Sequence, residues 1–238
     1  MKLLLSITAL MFLGAAHAAT PPLPAFSAHY AVSKDGKRIG DANMALRRDG
    51  NDWIFTTKVK GTSGLASWLN VTLDESSRFY WQHQLPQLIS YDYRLDSTLK
   101  HHQRHVRIDG EQVTVSKDNE HTAYAAVPNM VERHSAMLAL AVALTSGTQT
   151  VALTVATRKR IETQRYAIQG SDKVTVPAGT FADAIHVQRS DDDHGISAWF
   201  APQHCPVPVK LTTGDKDTML ELLSCHITPP LQHPAASG

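Results

Sequence analysis

Three groups of residues carry side chains suited to chemistry. The run Lys100-His101-His102-Gln103-Arg104-His105 is the first. On a helix, His101 and His105 would share one face a turn apart, as a zinc pair does. On a strand they stand roughly 13 Å apart, too far for one zinc whose nitrogen ligands sit about 2 Å away. The second group, Asp191-Asp192-Asp193-His194-Gly195, gathers hard oxygen donors and an imidazole. Asp191, Asp193 and His194 are the weak candidate ligands for a hard cation, but the spacing matches no twelve-residue calcium loop, and a solvated hairpin tip with no metal is the favoured reading. The third group is the pair Cys205 and Cys225, the only cysteines in the chain.

Catalytic motifs are missing. Neither G-x-S-x-G nor HExxH occurs, and no G-x-G-x-x-G or phosphate-loop pattern appears. A serine, histidine and aspartate can still be assembled in space from separate strands, so an envelope hydrolase or metal-dependent enzyme stands as an alternative. Five aromatic residues, Trp68, Trp81, Tyr91, Tyr93 and Trp199, are the candidates for lining an apolar binding cavity. For any one of them taken singly, ordinary core and rim packing is the better explanation.

The elements that position these residues alternate with a period of two. Phe26, Ala28, Tyr30 and Val32 begin the pattern, and Trp53, Phe55 and Val59 share a later face. Asp35-Gly36, Asp49-Gly50 and Asp109-Gly110 mark hairpin turns between such runs. Ile89, Tyr91, Tyr93 and Leu95 fall on one side, as do Ile196, Ala198 and Phe200. About a dozen strands are expected, too many for one flat sheet. In the final hairpin, a three-residue loop at Gly214–Lys216 sets Thr213 against Asp217, Leu211 against Met219, Val207 against Leu223 and Cys205 against Cys225. That register predicts a cross-strand disulfide, with Pro206 and Pro208 on the other face of an edge strand.

Two short segments break the alternation. Leu65–Leu69 reads as a helical turn laying Trp68 across an opening of the sheet. After Pro128, Asn129 reads as an N-cap, with Glu132 three residues on and Gly147 as the stop. Between Ser135 and Leu144 the segment is apolar nearly all round, which predicts a helix buried on more than one side.

Residues 1–18 have a single cation at Lys2, an apolar run and small residues at Ala16 and Ala18. They read as a signal peptide, followed by one β-rich domain over 19–227 and a loose tail over 228–238. The residue after the cut is Ala19, so no lipid anchor is expected there. The expected compartment is the oxidising periplasm, with the protein soluble and not membrane-spanning. Lys+Arg number 23 against 22 Asp+Glu, which gives no basic footprint for nucleic acid.

Short pieces in a fixed order carry a resemblance. They are FSAHYAVSKDGKRIG, the Trp53-x-Phe55 pair, Ser76–Phe79, the VPAGTF of Val176–Phe181, and Trp199–Pro202 followed by PVPVKL. Over about Phe26 to Cys225 the chain resembles the exported bacterial family catalogued as domain of unknown function 3108. The resemblance implies a periplasmic β-rich fold of the open-barrel kind and supplies no catalytic residue. The many histidines and the downstream cysteine pair depart from it.

Together these readings predict an all-β fold with one buried helix, an antiparallel meander curling into an open or closed barrel-like domain. The expected function is non-catalytic binding or envelope maintenance without a cofactor, with a concave apolar face for a lipid, a hydrophobic peptide or an envelope protein partner. A structural docking domain of an envelope assembly is the remaining alternative, marked by a wide exposed apolar patch.

Overall fold

Tight turns set the architecture. Gly36, Gly50 and Gly110 all take positive φ, as the Asp-Gly hairpins require. The computed structural model describes residues 20–192, 195–213 and 217–229. The expected leader over 1–18 lies outside the described residues, and so does most of the expected tail.

In chain order the elements are β1 (Ala25–Lys34), β2 (Lys37–Asp49), β3 (Asp52–Gly61), α1 (Gly64–Trp68), β4 (Thr72–Gln82), β5 (Leu85–Asp96), β6 (His101–Asp109), β7 (Gln112–Lys117) and β8 (Glu120–Ala125). There follow β9 (Val131–Glu132), α2 (Ala136–Leu144), β10 (Thr150–Ala156), β11 (Ile161–Val176), β12 (Gly179–Arg189), β13 (Ser197–Phe200), β14 (Lys210–Thr212) and β15 (Thr218–Thr228). The fifteen strands of the described residues form one sheet in the order β8-β7-β6-β5-β4-β3-β2-β1-β15-β14-β13-β12-β11-β10-β9. Two meanders are therefore joined where β1 pairs with β15, which sets Ala28 against Cys225. Thr228, expected in the tail, is the last ladder residue, opposite Ala25.

The fold is all-β with one buried helix, and the sheet curls without closing: β8 and β9 end it unpaired with each other. Helix α2 lies in the main core beside Tyr30, Leu46, Phe55 and Phe79. Leu138, Leu140, Val142 and Leu144 of α2 are all buried, each contributing about 1.5–3 kcal/mol by leaving water. A second cluster joins the sheet's two ends, packing Leu88, Tyr91, Val106 and Val113 against Met130 and Ala156.

Several local expectations are corrected. Asn129 does not cap α2; it takes a left-handed φ of 60°, and the helix starts after Ser135. The intervening residues add the short strand β9 beside β10. The last hairpin is slipped by one residue, with Leu211 opposite Leu220 and Thr212 opposite Met219. The amide of Thr213 donates to the carbonyl of Thr218 at 3.0 Å, where the expected partner was Asp217; the expected loop over 214–216 lies outside the described residues. A slip of one exchanges the two faces of a strand, so Leu220 and Leu222 are buried in place of Met219 and Leu223. Pro206 and Pro208 are buried in an irregular stretch before β14, which is an interior strand. In β5 a bulge opposite Arg78 and Phe79 makes Ile89 the extra residue, so Leu88 and Tyr91 both point inward.

Candidate functional site

The structure separates the histidines of β6. His101 Nδ1 lies 2.8 Å from Asp96 Oδ1, His102 Nδ1 lies 3.2 Å from Asp118 Oδ2, and His105 Nδ1 lies 2.5 Å from Asp92 Oδ1. Each imidazole has its own carboxylate. Among the described residues no three His, Cys, Asp or Glu side chains gather as a metal site would need. Asp191 accepts from the Arg165 amide at 2.9 Å and from Arg189 Nε at 3.1 Å, and the Arg189 hydrogen bond holds its carboxyl below the usual range. Asp193 and His194 lie outside the described residues. Cys205 and Cys225 form a disulfide with Cα atoms 6.0 Å apart.

The five candidate aromatics occupy different places. Trp68 is 76% exposed on α1, beside exposed Leu65, and Leu99 is exposed on a neighbouring loop. Thr98 ties these loops together, donating its amide to the Leu69 carbonyl at 2.9 Å. Trp81 packs edge-on against Phe79, its ring centroid 5.2 Å away. Trp199 stacks on His186 at 4.3 Å and donates its indole N–H to Asp172 at 2.8 Å. Tyr93 sits under the Arg104 guanidinium and borders an open, polar depression of about 540 Å³. Much of that depression's charge is internally matched, with Lys58 near Asp74 and His105 near Asp92.

Tyr91 alone of the five reaches the groove that runs along the seam between the sheet's two ends. This groove encloses about 370 Å³. One wall comes from Tyr91, Arg104 and Val106 on β5 and β6; the other comes from β9 and the turn joining β10 to β11. The Tyr124 hydroxyl crosses the seam to the Thr157 carbonyl at 2.5 Å. No pattern of alternation reports this site, because its walls are strands that never pair.

Glu132 stands at the base of the groove and belongs to a buried polar chain that the sequence reading missed. Its Oε2 accepts from the His134 amide at 2.9 Å and from Ser77 Oγ at 3.2 Å. Ser77 Oγ also lies 2.8 Å from His134 Nδ1, and His134 Nε2 lies 2.9 Å from Thr57 Oγ1. With Nδ1 carrying the proton, His134 donates to Ser77, Ser77 donates to Glu132, and Thr57 donates to Nε2. Phe55 stacks on the imidazole with ring centroids 4.4 Å apart. Burial pushes Glu132 up to about 7, the nearby Glu75 charge adding to the effect, and burial pulls His134 down to about 4. The Tyr91 hydroxyl donates to Glu75 at 2.6 Å, and burial raises its pKa.

The cluster contains a serine, a histidine and a carboxylate, but the serine sits between the other two and is fully buried. A nucleophile needs substrate access and a histidine held by the acid. The arrangement instead satisfies polar groups beneath the helix. The signal in the sequence was Glu132-Arg133-His134-Ser135, three polar or charged residues and an imidazole immediately before an apolar helix.

A family model described as "Protein of unknown function (DUF3108)" matches residues 25–221. Among solved structures, the chain is similar to a beta-barrel-like protein of domain of unknown function DUF1849 from Brucella abortus. The two share 10% identity at a TM-score of 0.48, over 87% of this chain and 99% of that one. No curated protein matches the chain.

Proposed function

The chain belongs to the family of proteins of unknown function designated DUF3108, and from that premise we propose that it is a non-catalytic binding module of the bacterial periplasm. The observation that carries this reading is the seam groove of about 370 Å³ with Tyr91, Val106 and Ala156 among its walls. Helix α2 fills the concave face of the sheet with the chain's own side chains. The open seam is thus the better place for a ligand than the concavity itself, and its size suits a small molecule or one segment of a longer chain.

Export is supported by the leader-like residues 1–18 and by the disulfide, a bond favoured in oxidising compartments. Native mass spectrometry of freshly purified protein should reveal a co-purified small molecule, lost when Ala156→Trp fills the groove. Protein that arrives bare and takes up no amphiphile would sink the binding reading. Turnover in an esterase or glycosidase panel, abolished by Glu132→Gln, would replace it with an enzymatic one. Mass analysis of the mature chain should show cleavage before Ala19.

A further inference from the structure

Charge in the seam groove is unevenly distributed. Its lining includes Arg104, Arg133, Arg158, Lys159 and Arg160, against the acids Glu132 and Glu162. Arg160 is matched by Glu162 at 3.0 Å. Glu132 is turned into the protein, accepting from Ser77 and the His134 amide. Among the described residues, Arg133, Arg158 and Lys159 make no ion pair. Arg104 lies over the Tyr93 ring with its centre 5.3 Å from the centroid, and among the described residues its buried Nε has no hydrogen-bond partner.

Arg104 and Arg158 are half-buried while Arg133 and Lys159 are exposed, so these cations repel one another across a rim that water partly screens. A buried guanidinium N–H without an acceptor adds a desolvation cost. The repulsion is relieved by one event, the arrival of an anion. Guanidinium groups accept carboxylate and phosphate oxygens in a two-pronged geometry.

We propose that the seam groove binds a ligand bearing a carboxylate or phosphate group, held by Arg104, Arg133, Arg158 and Lys159, with an apolar portion lying on Tyr91, Val106 and Ala156. This rests on the binding reading above and adds the class of headgroup. The outer depression shares Arg104 but pairs most of its own charges, so it lacks the excess that selects an anion.

Calorimetric titration with dodecyl phosphate, dodecanoate and uncharged dodecyl maltoside, each below its micelle concentration, tests the assignment. The two anions should bind at least tenfold more tightly than the maltoside. Arg133→Ala combined with Arg158→Ala should abolish that gap, and Arg107→Ala on the exposed face of β6 should preserve it. If the double variant fails to fold, Lys159→Glu in the exposed turn must narrow the gap severalfold. Inorganic phosphate that displaces dodecyl phosphate supports the headgroup site with a free anion as its source. Phosphate that does not displace it, while the tenfold gap holds, supports an amphiphile as the source. Equal affinity for charged and uncharged amphiphiles overturns the headgroup assignment but leaves the binding reading intact. Failure of every amphiphile and of phosphate overturns both. Phosphate bound alone, without any amphiphile, supports the anion site and sinks the apolar part of the binding reading.

Discussion

The Tyr124 hydroxyl donates to the Thr157 carbonyl oxygen at 2.5 Å, joining the final strand of one meander to a turn of the other across a seam that no ladder closes. Burial, followed by the charges of Glu132 and Glu162, pushes the Tyr124 hydroxyl up to about 12, so it stays a donor at physiological pH. Tyr124→Phe removes this link and leaves a carbonyl to find water. The expected cost is about 1 kcal/mol, or roughly 2–4 °C in Tm. Hydrogen exchange should accelerate around residues 157–161 and stay unchanged in the β1–β2 ladder. Unaltered exchange at that turn would show that side-chain packing alone holds the seam.

Glu132 and His134 oppose each other in pH dependence. Glu132 is raised in the folded state, so its contribution is present below its unfolded pKa near 4.5 and is lost as pH rises to about 7. His134 is lowered, so its contribution is present above its unfolded value near 6.5 and is lost as pH falls to about 4. Across pH 4.5–6.5 the two slopes cancel and the parent protein should show nearly flat stability. Glu132→Gln should expose the histidine slope, with stability rising with pH by a few kcal/mol over that window. His134→Gln should expose the reverse slope, falling with pH. Denaturant unfolding across pH 4–8 measures both, and parallel curves for the two variants would contradict the assignment.

The disulfide closes a loop with a sequence separation of 20. The chain-entropy model assigns such a closure about 3 kcal/mol. Cys225→Ser should therefore lower Tm by roughly 6–12 °C for a domain of this size. Adding a reductant to the parent should approach the same value. Differential scanning calorimetry with and without dithiothreitol provides the comparison, and a variant that melts with the oxidised parent would mean the bridge is not formed in solution.

Trp68 is 76% exposed, whereas Trp53 is buried and Trp81 and Trp199 are half-buried. Trp68→Ser should shift the tryptophan emission maximum to shorter wavelength, because it deletes the most hydrated indole. Stability should change by less than about 0.5 kcal/mol, as for most surface substitutions. A red shift or a large loss of stability would place Trp68 in a packed environment.

The sequence made the sheet legible where turn chemistry and alternation agreed, as at Asp35-Gly36 and along Phe26, Ala28, Tyr30 and Val32, all four of which are buried as expected, with Ala31 between the last two buried as well. It also made the buried helix legible, because the Ser135–Leu144 segment has no polar side to offer water. The longest strand, β11, escaped notice: its middle is exposed and its pairing with β12 shifts at two places, so no period of two survives there. The last hairpin was misread by a single residue because turn length, not side-chain type, sets its register. Ser77 and Thr57 carry no signal in the sequence that marks them for a site, and Glu132 reads as a capping residue. Their association is created by contacts between segments some 55 and 77 residues apart.

β1 finds one of its two partners, β15, almost two hundred positions downstream. A nascent chain can zip β1 to β8 as it emerges, but the outer rim of β1 keeps its amides and carbonyls bare until the last strand arrives. So distant a closure slows folding, and the waiting intermediate offers a template to any other extended chain. Until β15 docks, that rim is the exposed edge at which the chain is open to mispairing.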